Sequence, residues 1–407
     1  MKSIIFIGCY EFGTSREALT IAKEMGYFIV LLTNREKFKL KNHNLQDVDH
    51  LVFINNLLDE KSVTDEITKL KDNGLQICAC ISFIDPYISY TARLAKRLGL
   101  VEISENSLFI MENKIRFREK LKELSTSPFF TIIDFDTPID QFVQKYISFL
   151  PLILKSPSSN GSKDVFLVDD TAKLEYRIRY LQKKYPRQPI LAEEYLLGPQ
   201  FLIEVLVHNN EMTVVGVIKQ EVINNGRFIV TGYQFPANLN DEDHMNLHVS
   251  IKSIIDQLGL SCGSCHLEMR YVQGDWKLIE INPRMSGGTM NRIIEEGTGI
   301  NLVKEILKMH LGEQPSLKVT QQQHVYAKYL TIYSPGKLLK IVGTEQALEH
   351  KGVKYVYIKP KVGSILTPPF SMGYRYACII ASAESSEHAK QIALEASKKI
   401  KFYLEPL

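Results

Sequence analysis

The stretch from His266 to Asn291, HLEMRYVQGDWKLIEINPRMSGGTMN, restricts what this chain can become more than any other. Polar and apolar residues alternate on both sides of Gln273-Gly274-Asp275. His266, Glu268 and Arg270 share one face of an extended segment, and Glu280 and Asn282 share one face of its return. Two half-buried strands around a Gly-containing turn predict a hairpin. A three-residue turn from Gln273 to Asp275 sets Val272 opposite Trp276, Glu268 opposite Glu280 and His266 opposite Asn282. Only an odd-length loop puts both carboxylates on one face. Carboxylates directly opposed are unfavourable unless a cation lies between them, and a hard divalent ion such as Mg²⁺, bridging to substrate phosphates, suits the need. The ordinary fate of two strand glutamates is a solvated face. The sequel argues otherwise: Asn282-Pro283-Arg284 ends the strand, Ser286-Gly287-Gly288 follows, and an amphipathic helix begins near Met290. Glycine amides and a helix start can receive an anion beside the metal.

The segment LEMRYVQGDWKLIEINPRMSGG resembles the metal-binding end of the ATP-grasp superfamily. The resemblance implies that Glu268, Glu280 and Asn282 hold two Mg²⁺ ions, with Mn²⁺ an acceptable substitute, and that Arg284 contacts the reacting phosphoryl or acyl group.

Composition sets wider bounds. At 407 residues, 45% hydrophobic and 23% charged, the chain has the make-up of a globular protein of two or three domains. A net charge of +3 argues against a nucleic-acid partner, and no apolar run approaches the length of a membrane span. The N-terminal MKSIIFIGC has too short an apolar run for a signal segment, so a cytoplasmic location is expected. Six dispersed cysteines suggest no disulfide framework. Cys262-Gly-Ser-Cys265-His266 matches a haem attachment pattern and hints at zinc, but it runs straight into the metal strand and no second pair completes a zinc set.

Along the chain, the strand Ser3 to Ile7, the turn Gly8 to Ser15 and the helix Arg16 to Met25 open an alternating pattern. It continues through Phe28–Leu32, Leu57–Lys71, Gln76–Ile81 and Tyr87–Leu98, which predicts a parallel sheet covered by helices. The first turn imitates a P-loop, but Thr14 stands where lysine is required, so it is either an anion site or a tight turn. From Asn106 the character changes. Lys114 opens a helix, Lys155 ends the strand Pro151–Lys155, and the loop Ser156 to Ser162 before Val165–Val168 suits a flap over phosphates. The helix Lys173–Lys184 and the segment Pro189 to Gln200 follow.

Against the superfamily, Lys114 and Lys155 look like the two phosphate-neutralising lysines, with Ser159, Gly161 and Ser162 in the flap. Glu193, Glu194, Tyr195 and Leu196 look like the edge that reads adenine. At Gln200 many relatives carry a Glu that binds ribose hydroxyls; the amide can hydrogen-bond but has no charge. Lys219, before the turn at Asn225-Gly226 and the Gly232-Tyr-Gln-Phe-Pro236-Ala237 segment, is a candidate for a phosphate or substrate carboxylate, or an ordinary exposed lysine.

The expected architecture is mixed α/β and α+β. It comprises an N-terminal parallel-sheet (pre-ATP-grasp) domain over about 1–105, an ATP-grasp domain over about 106–312 with two sheets clasping nucleotide and a flexible lid near 128–197, and a small C-terminal α+β domain over about 313–407. The tail shows no cluster suggesting chemistry and is expected to be a lid or dimerisation element, a homodimer being the assembly this allows. The resemblance implies an ATP-dependent carboxylate–amine ligase. A carboxylate attacks the γ-phosphorus, an amine displaces phosphate, and the oxyanion falls near Arg284, Gly287 and Gly288. Amino acids are the expected substrates. A biotin carboxylase layout is similar, but those enzymes carry Val-Glu-His after Asn-x-Arg where this chain has Met285-Ser286-Gly287-Gly288. A non-catalytic nucleotide-binding module is the reading from a different class, and loss of a metal ligand would be its mark.

Overall fold

The computed structural model describes residues 1–39, 45–156, 161, 163–224 and 226–407. Four strands at the N-terminus form a parallel sheet in the order His50–Phe53, Phe28–Thr33, Lys2–Ile7, Gln76–Ile81. Both faces of its inner strands are covered: Ile5, Ile7, Val30 and Leu32 bury against Val63 and Leu94 of two helices, while Ile4, Phe6, Ile29 and Leu31 bury against Ala18 and Leu19 of another. That double burial is why these strands are continuously apolar rather than alternating.

The centre is an eight-stranded antiparallel sheet in the order Asp275–Asn282, Gly263–Val272, Gln200–His208, Glu211–Asn224, Phe228–Phe235, His324–Leu330, Ala377–Ala383, Val353–Ile358. Its last three strands come from the tail, so sheet hydrogen bonding runs through the region near residue 312 without a break; Gln234 pairs with Tyr326 and Phe235 with Val325. A four-stranded antiparallel sheet, Phe130–Ile133, Ile190–Glu194, Leu152–Lys155, Val165–Val168, stands apart with its own core of Phe142, Leu154, Phe166 and Leu174. Two helices, Ile139–Tyr146 and Thr171–Lys184, back this sheet. A small sheet of Ile365–Leu366, Gly336–Val342 and Lys401–Pro406 completes the tail. The helix ending at Leu258 begins at Asp241, capped by the Asn240 side chain, because Asp241, Glu242 and Asp243 complement the positive end of its dipole.

Candidate active site

The hairpin that carries Glu268 and Glu280 forms by different arithmetic from that expected. Gln273 and Gly274 both have positive φ, 51° and 96°, giving a two-residue turn whose twist matches its strands. Val272 therefore faces Asp275, not Trp276. On that count Glu268 would face Ile279, and the two glutamates would lie on opposite sides of the sheet. A bulge at Ile279 restores the register, so that Glu268 faces Glu280 and His266 faces Asn282. The facing acids stand as expected, but an odd-length loop is not the only way to reach them. Arg118 Nη2 secures the bulge by donating to the Ile279 carbonyl at 2.7 Å.

Around the pair, Lys114 Nζ lies 3.1 Å from Glu280 Oε1, and Gln200 Nε2 donates to Glu268 Oε2 at 3.4 Å. Burial, then the charge of Glu280, pushes the Glu268 carboxyl up to about 7. Burial also opposes ionisation of Glu280, but Lys114 and Lys155 outweigh it and hold that carboxyl below its usual value. Facing carboxyls held apart in this way suit a cation between them. Asn282 is prepared by His266, which the sequence reading did not single out. His266 Nδ1 lies 2.7 Å from the Arg284 carbonyl and so must carry the proton; Nε2 then accepts from Asn282 Nδ2 at 3.3 Å, leaving the carboxamide oxygen available. Burial pushes His266 down to about 4 and keeps the ring neutral. Two carboxylates and a carboxamide oxygen on one face fit Mg²⁺, which takes oxygen donors and retains water and phosphate for the rest.

Lys114 and Arg118 stand one turn apart on the helix Lys114–Leu121, whose N-cap Asn113 accepts from the Ile115 and Arg116 amides. Arg118 Nε donates to Glu193 Oε1 at 2.5 Å, and Lys155 pairs with the other oxygen. Burial opposes the Glu193 charge, yet the two cations hold its carboxyl down at about 2. The Glu193 side chain thus lines the slot while paired with two cations, and it ties its strand to the helix Lys114–Leu121. Glu194 is exposed and accepts from the Phe129 amide at 3.1 Å. Tyr195, Leu196, Ile153, Val165 and Phe228 wall an apolar slot beside Lys155, with Gly161 at its margin. Ser159 and Ser162 lie outside the described residues. Gln200 lines the slot with its amide engaged: Nε2 donates to Gln220 Oε1 at 2.8 Å, and Oε1 accepts from Arg270 at 3.2 Å.

Lys219 is not brought to the site. In the strand Glu211–Asn224 it pairs with Phe201, whose side chain packs on Trp276 away from the slot, while Gln220 pairs with Gln200. Lys219 is exposed and lines neither the slot nor the larger cavity beside it.

That larger cavity opens beyond the acid pair. Arg284 is aimed by Asp85, whose Oδ2 receives Nε at 3.0 Å and Nη2 at 2.5 Å. The Ser286-Gly287-Gly288 turn is pinned from two sides: Thr14 Oγ1 donates to the Ser286 carbonyl at 2.9 Å, and the Ser286 amide donates to Glu204 Oε1 at 2.9 Å. A Cβ on Gly13 would stand 2.9 Å from the Gly288 nitrogen, so the first turn of the chain is a close packing against this loop that only glycine permits. The tail lines the cavity too, through Tyr329, Tyr355, Tyr357, Lys359 and Arg375. The tail was expected to show no cluster suggesting chemistry, yet it contributes to this wall: Tyr329 comes from His324–Leu330, Tyr355 and Tyr357 from Val353–Ile358, and Lys359 and Arg375 from the segments that follow.

Among the functional candidates that sequence reasoning missed, Arg118 was legible as the residue four after Lys114, and His266 as the strand neighbour of Glu268. Asp85 announces itself only by following a parallel strand's C-terminal end, where ligands gather in such sheets.

An antiparallel sheet bearing facing carboxylates, closed by a smaller lid sheet with a buried lysine and an apolar slot between them, defines the ATP-grasp class. Comparison agrees. The family description "ATP-grasp domain" matches residues 148–292, "ATP-grasp N-terminal domain" matches 19–100, and "L-amino acid ligase C-terminal domain 2" matches 328–405. The chain thus carries an ATP-grasp domain over residues 148–292. The crystal structure of L-amino acid ligase from Bacillus licheniformis superposes with a TM-score of 0.85 at 21% identity, covering 100% of this chain and 99% of that one. Biotin carboxylase from Campylobacter jejuni superposes with a TM-score of 0.73 at 15% identity, over 99% and 92% of the two chains; at these identities the likeness is one of fold. Dapdiamide A synthase of Enterobacter agglomerans is 27% identical over 195 residues, 46% of each chain. The uncharacterized protein y4rH of Sinorhizobium fredii is 26% identical over 261 residues, 63% of this chain and 54% of that one. The chain spans about half the length of these curated relatives. Among the described residues, no helix is long and apolar enough to cross a membrane.

Proposed function

We propose that this chain is an ATP-dependent carboxylate–amine ligase that joins amino acids and releases ADP and phosphate. The observation that carries the reading is that Glu268 and Glu280 line both the apolar slot and the large cavity. A phosphoryl group presented from the slot thereby meets a substrate presented from the cavity at the acid pair. Leu196 and Tyr195 would enclose the purine, Lys114 and Lys155 would neutralise phosphate oxygens, and Glu268, Glu280 and Asn282 would hold two Mg²⁺ ions. Bound there, Mg²⁺ supplies charge neutralisation for the transferring phosphoryl group.

The chain's own part is positioning. A carboxylate oxygen attacks the γ-phosphorus, the bond to ADP breaks, and an acyl phosphate forms. The amine nitrogen then attacks the acyl carbon, and phosphate leaves with the C–O electron pair. Arg284, held at a fixed angle by Asp85, and the Gly287 and Gly288 amides face the oxygen that gathers charge in between. The tyrosines of the cavity keep water from the acyl phosphate.

The test is a phosphate-release screen of the purified protein with ATP, Mg²⁺ and pairs of amino acids, followed by mass spectrometry. Pair-dependent release with a condensed product is expected, together with its loss in Glu280→Gln. Release that ignores every pair, or a Glu280→Gln variant as active as the parent, would sink the proposal.

A further inference from the structure

Arg375 has an unusual setting among the guanidinium groups of the large cavity. Arg16, Arg284 and Arg292 line the same space and are paired with carboxylates, from Asp47, Asp85 and Glu17 respectively, while Arg35, at the mouth, lies over the Tyr10 ring at 4.5 Å. Arg375 has no carboxylate partner among the described residues. Its contacts are neutral and long: Nε to the Met372 carbonyl at 3.2 Å, and Nη1 to the Val230 carbonyl at 3.3 Å and the Tyr233 hydroxyl at 3.4 Å. The guanidinium stacks over Tyr329 at 3.9 Å, which orients it without neutralising it.

Lys359 stands beside it at the rim, its ammonium donating to the Gly373 carbonyl. Burial, and then the charge of Arg375, hold Lys359 below its ordinary value. Every acid that lines this cavity is otherwise committed: Glu11 to Lys37 at 2.8 Å, Glu17 to Arg292 at 2.7 Å, and Glu268 and Glu280 to the metal face. Two neighbouring cations with no acid between them, walled by Tyr233, Tyr329, Tyr355 and Tyr357, are costly until an anion arrives. Planar Arg presents the donors that a carboxylate accepts best.

We infer that Arg375, with Lys359 at its rim, binds the α-carboxylate of the amine substrate, so that the acceptor is a free amino acid and its amide is rejected. This rests on the ligase reading. The carboxylate to be activated must approach the phosphoryl group at the acid pair, whereas the acceptor brings only its nitrogen there and needs a separate place for its own negative charge. The tail supplies that place. Met372 also contacts the lid, its amide donating to the Gly161 carbonyl at 3.3 Å, so the segment carrying Arg375 roofs the cavity where slot and acceptor space join.

The experiment uses the full chain with ATP and Mg²⁺ and separates the two readings by choice of amine. Hydroxylamine, which has no carboxylate, traps an acyl phosphate as hydroxamate. Wild type forming no hydroxamate with any standard L-amino acid as donor would sink the ligase reading and this inference with it. With the donor found, wild type should use free amino acids over their amides by about 100-fold in kcat/KM, as a site built to hydrogen-bond a group rejects its absence. Arg375→Met should bring that ratio close to one by raising the acceptor KM, while its hydroxamate formation falls far less than its peptide formation. Wild type that accepts amides as readily as acids overturns the assignment, as does an Arg375→Met enzyme whose hydroxamate and peptide formation fall in parallel. A loss of hydroxamate confined to Asp or Glu donors assigns the site to the donor side chain and also overturns it. Should Arg375→Met fail to fold, Lys359→Met carries the same comparison with a smaller drop in the ratio, about tenfold.

Discussion

At the scale of single residues, the site is built from groups that hold other groups. Asp85 fixes Arg284 and His266 fixes Asn282, and neither holder need touch a substrate. On the proposed mechanism, replacing Arg284 by Met would remove the cation facing the developing oxyanion and is expected to lower kcat by about 100-fold or more, measured as ADP release under saturating substrates. Replacing His266 by Phe leaves the carboxamide of Asn282 unoriented. The Mg²⁺ concentration for half-maximal ATP turnover should then rise by about tenfold or more, the usual cost of losing a group that orients a metal ligand. An unchanged Mg²⁺ requirement would show that Asn282 needs no such help. The facing pair was legible because alternation around one turn leaves few ways to place Glu268 and Glu280. Asp85 was not, because its partner lies far along the chain and no local pattern reports a long-range ion pair. Lys219 misled because a lysine near a binding segment looks alike on either face of a strand, and only the pairing of Gln220 with Gln200 decides which face is which.

At the scale of elements, the strands and helices with strong periodicity stood where the sequence put them. The short, half-exposed strand His50–Phe53 and the lid elements Phe130–Ile133 and Ile139–Tyr146 did not announce themselves, since each has too few buried positions to set a period. The bulge at Ile279 is likewise invisible to a pattern of period two. The strand Gln200–His208 carries a further consequence through Glu204, which lies buried under the Ser286 amide. Burial pushes its carboxyl up from 4.5 to about 8, so the folded protein keeps a proton that the unfolded chain releases. Between those two values, rising pH therefore favours the unfolded chain. Glu204→Gln keeps an acceptor for Ser286 but does not titrate. Its melting temperature should gain on the parent's as pH rises from about 5 to 8, by several degrees at the upper end. A constant difference across that range would mean that Glu204 is already ionised in the fold.

At the scale of the whole molecule, one sheet joins the metal hairpin to the tail, and three distant stretches of chain meet around one cavity: the turn near Gly13, the loop after Arg284, and the tail strands. A chain ended after Gly312 would bare the pairing edge of Phe228–Phe235 and uncover the tyrosine wall. It is expected to aggregate rather than persist as a smaller working enzyme, which size-exclusion chromatography of the expressed fragment would check; a monodisperse, ATP-hydrolysing fragment would contradict this. The seam between sheet and tail also bears on how such chains diversify. The groups that would choose the incoming amine lie downstream of it, and those that would activate the other partner lie upstream. A recombination crossover between Gly312 and His324 would therefore hand its recipient a new taste in nucleophiles as a single inherited block, provided the foreign strand can mate with Gly232 to Phe235.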